Sequence, residues 1–378
     1  MAAYTTIDNP ELYFQVKLYT GNGTAIGSGG QAITFDGEED MQPDFVWIKE
    51  RDDSTNHQAY DAVRGVTYRI YPDHPAAQDQ QTEGVTAFGS DGFTVGNDGS
   101  TNGSSDTYVA WCWKAGTTFT NDASATSVGN TDSNGSASST AGFSISKYEG
   151  AGSSLDIQVK HGLSVKPAVM FTKNIEEAGG NDWAVYHHKN TSAPETDYLK
   201  LSATTATTDN ADIWNDTEPT SAVFTAGDHS GSNRSGDDFV SYHWNEVQGY
   251  SKFGYYTGNG QDTPNGVFVY LGFRPAMILV KATDDNSWVI ANNKSPTDSN
   301  PVDNSLAAND SAAETTGNSD TTFDFLANGF RTNGNSGNNN SSGQGHVFMA
   351  FAEAPFVNSP FSTSISCVFY QKKCWTKA

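Results

Sequence analysis

The chain has 378 residues, more than one ordinary domain holds and enough for two or three. Lys and Arg number 21 against 44 Asp and Glu, and the net charge of −23 disfavours nucleic acid and anionic lipid as partners. Aromatic residues at 12% exclude a disordered chain, and charged residues at only 17% point to packed modules with neutral polar surfaces.

From Met1 to Pro10 there is neither the cationic start nor the apolar stretch of a signal peptide. Apolar runs stay short, as in Ala276–Val280, far below the roughly 18 residues of a spanning helix, so no membrane insertion is expected. Tyr4, Ile7, Leu12, Tyr13 and Phe14 make the start too apolar for a free tail. Residues 1–13 therefore read as an N-terminal segment that docks on a neighbour.

Three markers then recur in the same order. Tyr19-Thr-Gly-Asn-Gly23 returns letter for letter at Tyr256–Gly260, with a looser copy at Tyr148–Gly152. Each is followed by a Pro-led apolar run ending in Lys: Pro43–Lys49, Pro167–Lys173 and Pro275–Lys281. An aromatic run closes each set: Tyr108–Trp113, Phe239–Trp244 and Phe348–Glu353, centred on Trp111, Tyr242 and Phe351. They mark three homologous units, at 14–116, 143–246 and 253–356.

The markers are short, rich in β-branched and aromatic residues, and bounded by Gly, Asn, Asp and Pro, which predicts strands. Alternation sends Val109, Trp111 and Trp113 to one face and Tyr108, Ala110 and Cys112 to the other, so this strand is covered on both sides. Helical candidates are confined to Pro75–Gln81 and Ser311–Thr315. The expected fold is all-β: three tandem β-sandwich units, jelly-roll or lectin-like, with long polar loops such as Ser295–Thr322. Residues 117–142 read as a Ser/Thr/Asn/Gly linker, and 357–378 as a C-terminal tail. Three cysteines cannot build a disulfide framework; Cys112 reads as a small hydrophobe, while Cys367 and Cys374 are spaced for a hairpin disulfide.

No catalytic set, metal or cofactor is expected, because no nucleophile elbow, His-Glu-x-x-His, Walker loop or paired-Cys pattern occurs. His187 and His188 would face opposite sides of a strand and so not share a metal. His229-Ser230 lies in a Gly/Ser/Asn loop with no third group to orient it. Asp52-Asp53, Asp237-Asp238 and Asp284-Asp285 read as solvated turns, with Ca²⁺ binding the lesser alternative. Trp183 and Trp288 recur at similar distances after their units' prolines and read as core. Trp214, in Asp212-Ile-Trp-Asn-Asp216, has two readings. Packing is the favoured one. The other is a glycan site, in which the indole stacks on a sugar face and Asp212 and Asp216 accept hydroxyl hydrogen bonds.

The segments Gln42–Lys49, Ser90–Val95, Tyr108–Gly116, Gly249–Gly254 and Gly272–Ala276 together resemble a family of marine bacteriophage virion proteins, of cyanophages and related phages, labelled as tail fibre or structural proteins. The resemblance runs from about residue 4 to residue 356. It implies a non-enzymatic virion protein of β-sandwich modules, assembled in the bacterial cytoplasm and released by lysis. Its role would be that of a tail fibre or spike subunit contacting the host surface through a polysaccharide or receptor. The alternative is a capsid decoration or a purely architectural tail protein. Other virion proteins are implied as partners, as is a homo-oligomer, with a trimer favoured. No catalytic residue is carried over. Relatives tend to stop soon after the segment matching Ala354–Phe356, whereas this chain continues for 22 residues.

Overall fold

The structure, a computed structural model, describes residues 5–152, 156–177, 181–295 and 300–355. Strands hold 41% of the residues and helices 7%, so the fold is all-β. The tail with Cys367 and Cys374 lies outside the described residues.

The first unit comprises β1 (Phe14–Thr20), β2 (Gln31–Ile33), β3 (Phe45–Glu50), β4 (Gln58–Asp61) and β5 (Tyr68–Ile70). It continues through β6 (Asp79–Gln80), β7 (Val85–Gly89), β8 (Gly92–Val95), the one-turn α1 (Gly99–Asn102) and β9 (Thr107–Trp113). A hairpin follows, β10 (Thr117–Asn121) and β11 (Ser133–Ser138), with α2 (Ala123–Thr126) between. The second unit holds β12 (Phe143–Glu149), β13 (Ile157–Lys160), β14 (Val169–Asn174), β15 (Ala184–His187) and β16 (Asp197–Lys200). Then come β17 (Thr208–Asp209), α3 (Ala211–Trp214), β18 (Val223–Ala226), α4 (Ser230–Asn233) and β19 (Asp238–Trp244). The third has β20 (Ser251–Thr257), β21 (Phe268–Tyr270), β22 (Phe273–Ala282) and β23 (Val289–Asn292). It ends with β24 (Leu306–Ala307), β25 (Thr322–Leu326), β26 (Gly329–Asn333) and β27 (Gly345–Pro355).

One antiparallel order recurs: β1-β9-β3-β4-β5, β12-β19-β14-β15-β16 and β20-β27-β22-β23-β24. Smaller sheets, β2-β8-β7, β13-β18 and β21-β26-β25, pack on the outer faces and enclose a separate apolar cluster in each unit. The inner faces of all three large sheets meet in one shared core. In β9, Val109, Trp111 and Trp113 enter that core while Tyr108, Ala110 and Cys112 enter the unit's own, as the alternation predicts. Ring contacts tie the units together: Phe45 to Tyr242 at 4.4 Å, Phe14 to Phe351 at 4.9 Å, and Phe171 to Trp288 at 6.4 Å. Each buried ring withdraws roughly 150–250 Å² from water, so the shared core belongs to no single unit.

Equivalent positions close the ring. The residue before the fourth strand of each recurring order (β4, β15 or β23) is His57, Trp183 or Trp288. Trp183 donates Nε1–H to the Tyr71 carbonyl of the first unit, and Trp288 to the Lys200 carbonyl of the second, both at 2.8 Å. His57 Nε2 lies 3.1 Å from the Ala307 carbonyl of the third unit, while its Nδ1 accepts from Trp47. Backbone bonds follow the same cycle: Gln78 to Ile175, Thr207 to Thr283 and Glu314 to Arg51. An Arg51–Glu314 ion pair at 2.7 Å reinforces the last boundary.

The Tyr-led motif is a clasp. Tyr19, Tyr148 and Tyr256 donate their hydroxyls to the carbonyls of Thr101, Ser232 and Asn339, at 2.7, 2.7 and 2.5 Å. The motif's last glycine, at φ of +65°, +78° and +64°, donates its N–H to Asn102, Asn233 and Asn340. Only glycine adopts that backbone cheaply. The lysines ending the Pro-led runs are also structural. Lys49, Lys173 and Lys281 are buried, and each ammonium donates to two backbone carbonyls. Burial pulls Lys173 and Lys281 down to about 8.

Several expectations change. The third aromatic marker slips by two residues: His346 stacks on Tyr256 as Tyr108 does on Tyr19, and Met277 pairs with Phe351 as Phe45 does with Trp113. A slip of two preserves the inward–outward alternation and is invisible to it. Residues 117–142 are no linker, since β10 and β11 extend the β12 sheet by two strands. The described part of the N-terminal segment docks on its own chain, with Ile7 in the shared core and Tyr13 edge-on to Tyr250. Within Pro75–Gln81, Asp79–Gln80 forms a strand, and Ser311–Thr315 is not helical. The loop 295–322 is partly internal, with Val302 buried and bridged to Phe323.

Candidate functional site

Among the described residues, hairpin β10–β11 has no counterpart in the other units, and a groove lies on each side of it. The larger, about 400 Å³, is bounded by β10, β11, the end of β13 and the turn before β18. Phe119 forms a wall, half-buried, and the Lys160 ammonium stands 5.4 Å from its ring centre. Gly135 and Gly162 seat the ring, because a Cβ on either would lie 2.6 or 2.7 Å from it. Thr117, Thr118, Ser139, Ser164 and Ser221, all exposed, line the rest together with Val128, Ala137 and Ala222.

The second groove, about 250 Å³, contains Asp122, Asp132, Lys147, Glu149 and Asp238. Three of the four carboxylates are already engaged. Asp122 caps α2 through the Ala125 N–H, Asp132 accepts from the Ala123 N–H, and Asp238 pairs with Lys147. Among the described residues, no group of three His, Cys, Asp or Glu is placed to hold a metal ion.

The glycan reading of Trp214 is overturned. Its side chain is 1% exposed, its Nε1 donates to the Asp197 carbonyl at 3.2 Å, and its ring meets Tyr186 edge-on. Asp212 and Asp216 are exposed, so the three residues share no surface on which a sugar could stack. The polar neighbours that suggest exposure are helix caps. Asn210 caps α3 by accepting from the Asp212 N–H, and Asn215 ends it in the left-handed region at φ +52°.

The other candidates are equally committed. His187 and His188 do not converge; they reach the Phe348 and Phe253 carbonyls of the third unit, and burial holds His187 at about 3. His229 caps α4 through Nδ1 rather than activating Ser230. Asp52 accepts from Thr107, Asp237 from Asn174, Asp284 from Gln344 and Asp285 from Ala206, so these pairs anchor loops. Trp183, Trp288 and Cys112 are core, and burial pushes the Cys112 thiol up.

Sequence reading missed one contact with catalytic residue types, Ser146 Oγ to His243 Nε2 at 2.8 Å. The two lie on adjacent strands far apart in sequence, with no motif joining them. Both are wholly buried, and burial drives His243 well below its ordinary value. Neither lines a groove described here, so this is a core hydrogen bond.

The chain belongs to a protein family described as "Domain of unknown function (DUF7483)", whose model matches residues 9–355. Comparison with curated proteins finds no match. Among the described residues no helix is long and apolar enough to cross a membrane.

Proposed function

We propose that the protein is a non-enzymatic structural component of a bacteriophage virion, a tail fibre or spike subunit that contacts the host surface. The observation that carries this reading is the division of labour between core and hairpin. Within the repeats, the buried Lys49, Lys173 and Lys281, the buried histidines at unit boundaries and the paired aspartates hold loops and interfaces together. Open polar space lies where the repeat is broken, at the β10–β11 hairpin. Rigid scaffolds commonly carry recognition on such added segments. The virion assignment itself rests on the resemblance of the repeated segments to marine phage proteins.

A capsid decoration or architectural tail protein is the second reading. It is favoured by the pseudo-threefold ring, which suits a seat on a threefold axis of a shell. In either role the lateral faces are occupied within the chain, so a homotrimer and contacts with other virion proteins would use outer sheets or ends. Cryo-EM of the intact particle and adsorption of purified protein to host cells and their isolated polysaccharide test both readings. Tail location with adsorption supports the first, and shell location without adsorption supports the second. Absence from the particle overturns both.

A further inference from the structure

We infer that the groove formed by Phe119, Lys160 and the surrounding hydroxyls binds an acidic saccharide, a pyranose bearing a carboxylate or a sulfate ester. This deepens the attachment reading and rests on it only for the source of the sugar.

The chemistry of the walls selects the ligand. At about 400 Å³ the groove matches the size of small-molecule sites and can take one or two sugar rings. Phe119 presents an aromatic wall against which the C–H face of a pyranose packs. Gly135 and Gly162 leave room for that ring and nothing larger than hydrogen beneath it. Five exposed hydroxyls, which make no hydrogen bonds within the described protein, surround it and can donate to or accept from sugar hydroxyls.

Charge sets the sign. The chain carries 44 acidic against 21 basic residues, yet among the described residues no carboxylate lines this groove. Lys160 makes no ion pair among the described residues, so its ammonium stands as a lone cation over an aromatic wall. An anionic substituent drawn to that ammonium brings the sugar ring against Phe119. A neutral sugar gains only the stacking. The neighbouring groove, with four carboxylates, repels the same ligand. Among the described residues neither of the other units has the hairpin, so the described ring holds the site once.

The test is affinity electrophoresis and calorimetry of the full chain with polygalacturonate, dextran sulfate and neutral dextran, with variants Lys160→Gln and Phe119→Ala. Circular dichroism and the melting temperature verify folding, and because the Lys160 head group touches the Phe119 ring but makes no hydrogen bond or ion pair among the described residues, K160Q keeps the inference testable if F119A unfolds. The expected result is binding of one or both acidic polymers, weakened at least tenfold by K160Q, as for loss of a charge-assisted contact. The two acidic arms tell carboxylate from sulfate. Equal binding of neutral dextran, or acidic binding that K160Q leaves unchanged, overturns the inference. If no polymer binds while wild type and K160Q adsorb to host cells alike, the site is refuted and the attachment reading stands. If neither polymer nor cell is bound, both fall.

Discussion

The indole of Trp183 donates a 2.8 Å hydrogen bond to the backbone carbonyl of Tyr71, joining the second unit to the first at a position that Trp288 and His57 occupy at the other two boundaries. Three different donor environments thus perform one task, and the ring closes because each unit bonds the preceding one. Trp244 offers a natural comparison, since it also lies in the shared core but its Nε1 has no hydrogen-bond partner among the described residues. Trp183→Phe removes volume and a bond; Trp244→Phe removes volume alone. Trp183→Phe should therefore cost about 1 kcal/mol more, in the range typical of one buried hydrogen bond. Urea midpoints of the two variants measure the difference. Equal midpoints would show that the bond contributes nothing.

Trp214→Ala should be strongly destabilising. The indole is 1% exposed and packs on Tyr186, so truncation opens a cavity and strands the Asp197 carbonyl. Buried Trp-to-Ala changes typically cost about 3–5 kcal/mol. A melting temperature within a degree of wild type would contradict this packing role.

Asp73 should give the fold a distinctive pH dependence. Burial raises its carboxyl from 3.8 to about 7, against the opposing pull of backbone N–H bonds, including that of His57, and of Lys49. A raised acid pKa means the fold binds more protons than the unfolded chain between pH 3.8 and about 7. This group's contribution to stability is therefore present at low pH and lost as pH rises through that window. Asp73→Asn keeps an acceptor for the His57 N–H and removes the titration. Relative to wild type, D73N should gain stability from pH 4 to pH 8, read from urea midpoints; a constant difference would exclude the effect.

Much of this architecture is legible in the sequence, and what is not legible is hidden for physical reasons. Alternation of Val109, Trp111 and Trp113 with Tyr108, Ala110 and Cys112 revealed a strand covered on both faces. The same period of two hid the slip that makes His346, not Phe348, the partner of Tyr256. Trp183 and Trp288 were recognisable as equivalents, whereas His57 was not, because a different residue type makes the corresponding bond. Hairpin β10–β11 resembled a linker because it joins the sheet through its backbone, with Phe119 its one large apolar side chain. The groove beside it was consequently unreadable: Phe119 and Lys160 are brought together only by that pairing.

The units should not survive separation. A chain ending at residue 246 retains two complete large sheets, each with the strand count of an independent module. Their inner faces, however, pack against the third unit. Phe14 and Trp113 lose Phe351, Phe171 loses Trp288, and Trp47 and Trp244 lose the methionine and leucine side chains of β22 and β27 that pack near them. Exposure of several rings costs on the order of 1.5–3 kcal/mol each, comparable in sum to the 5–15 kcal/mol stability of a typical fold. His57, Lys200 and Arg51 would also lose the partners that close the ring. The truncated chain should therefore aggregate or bind a hydrophobic dye, while the full chain unfolds in one cooperative transition followed alike by tryptophan fluorescence and circular dichroism. A soluble, cooperatively folding two-unit fragment would mean that the shared core is a contact between independent modules rather than the centre of one fold.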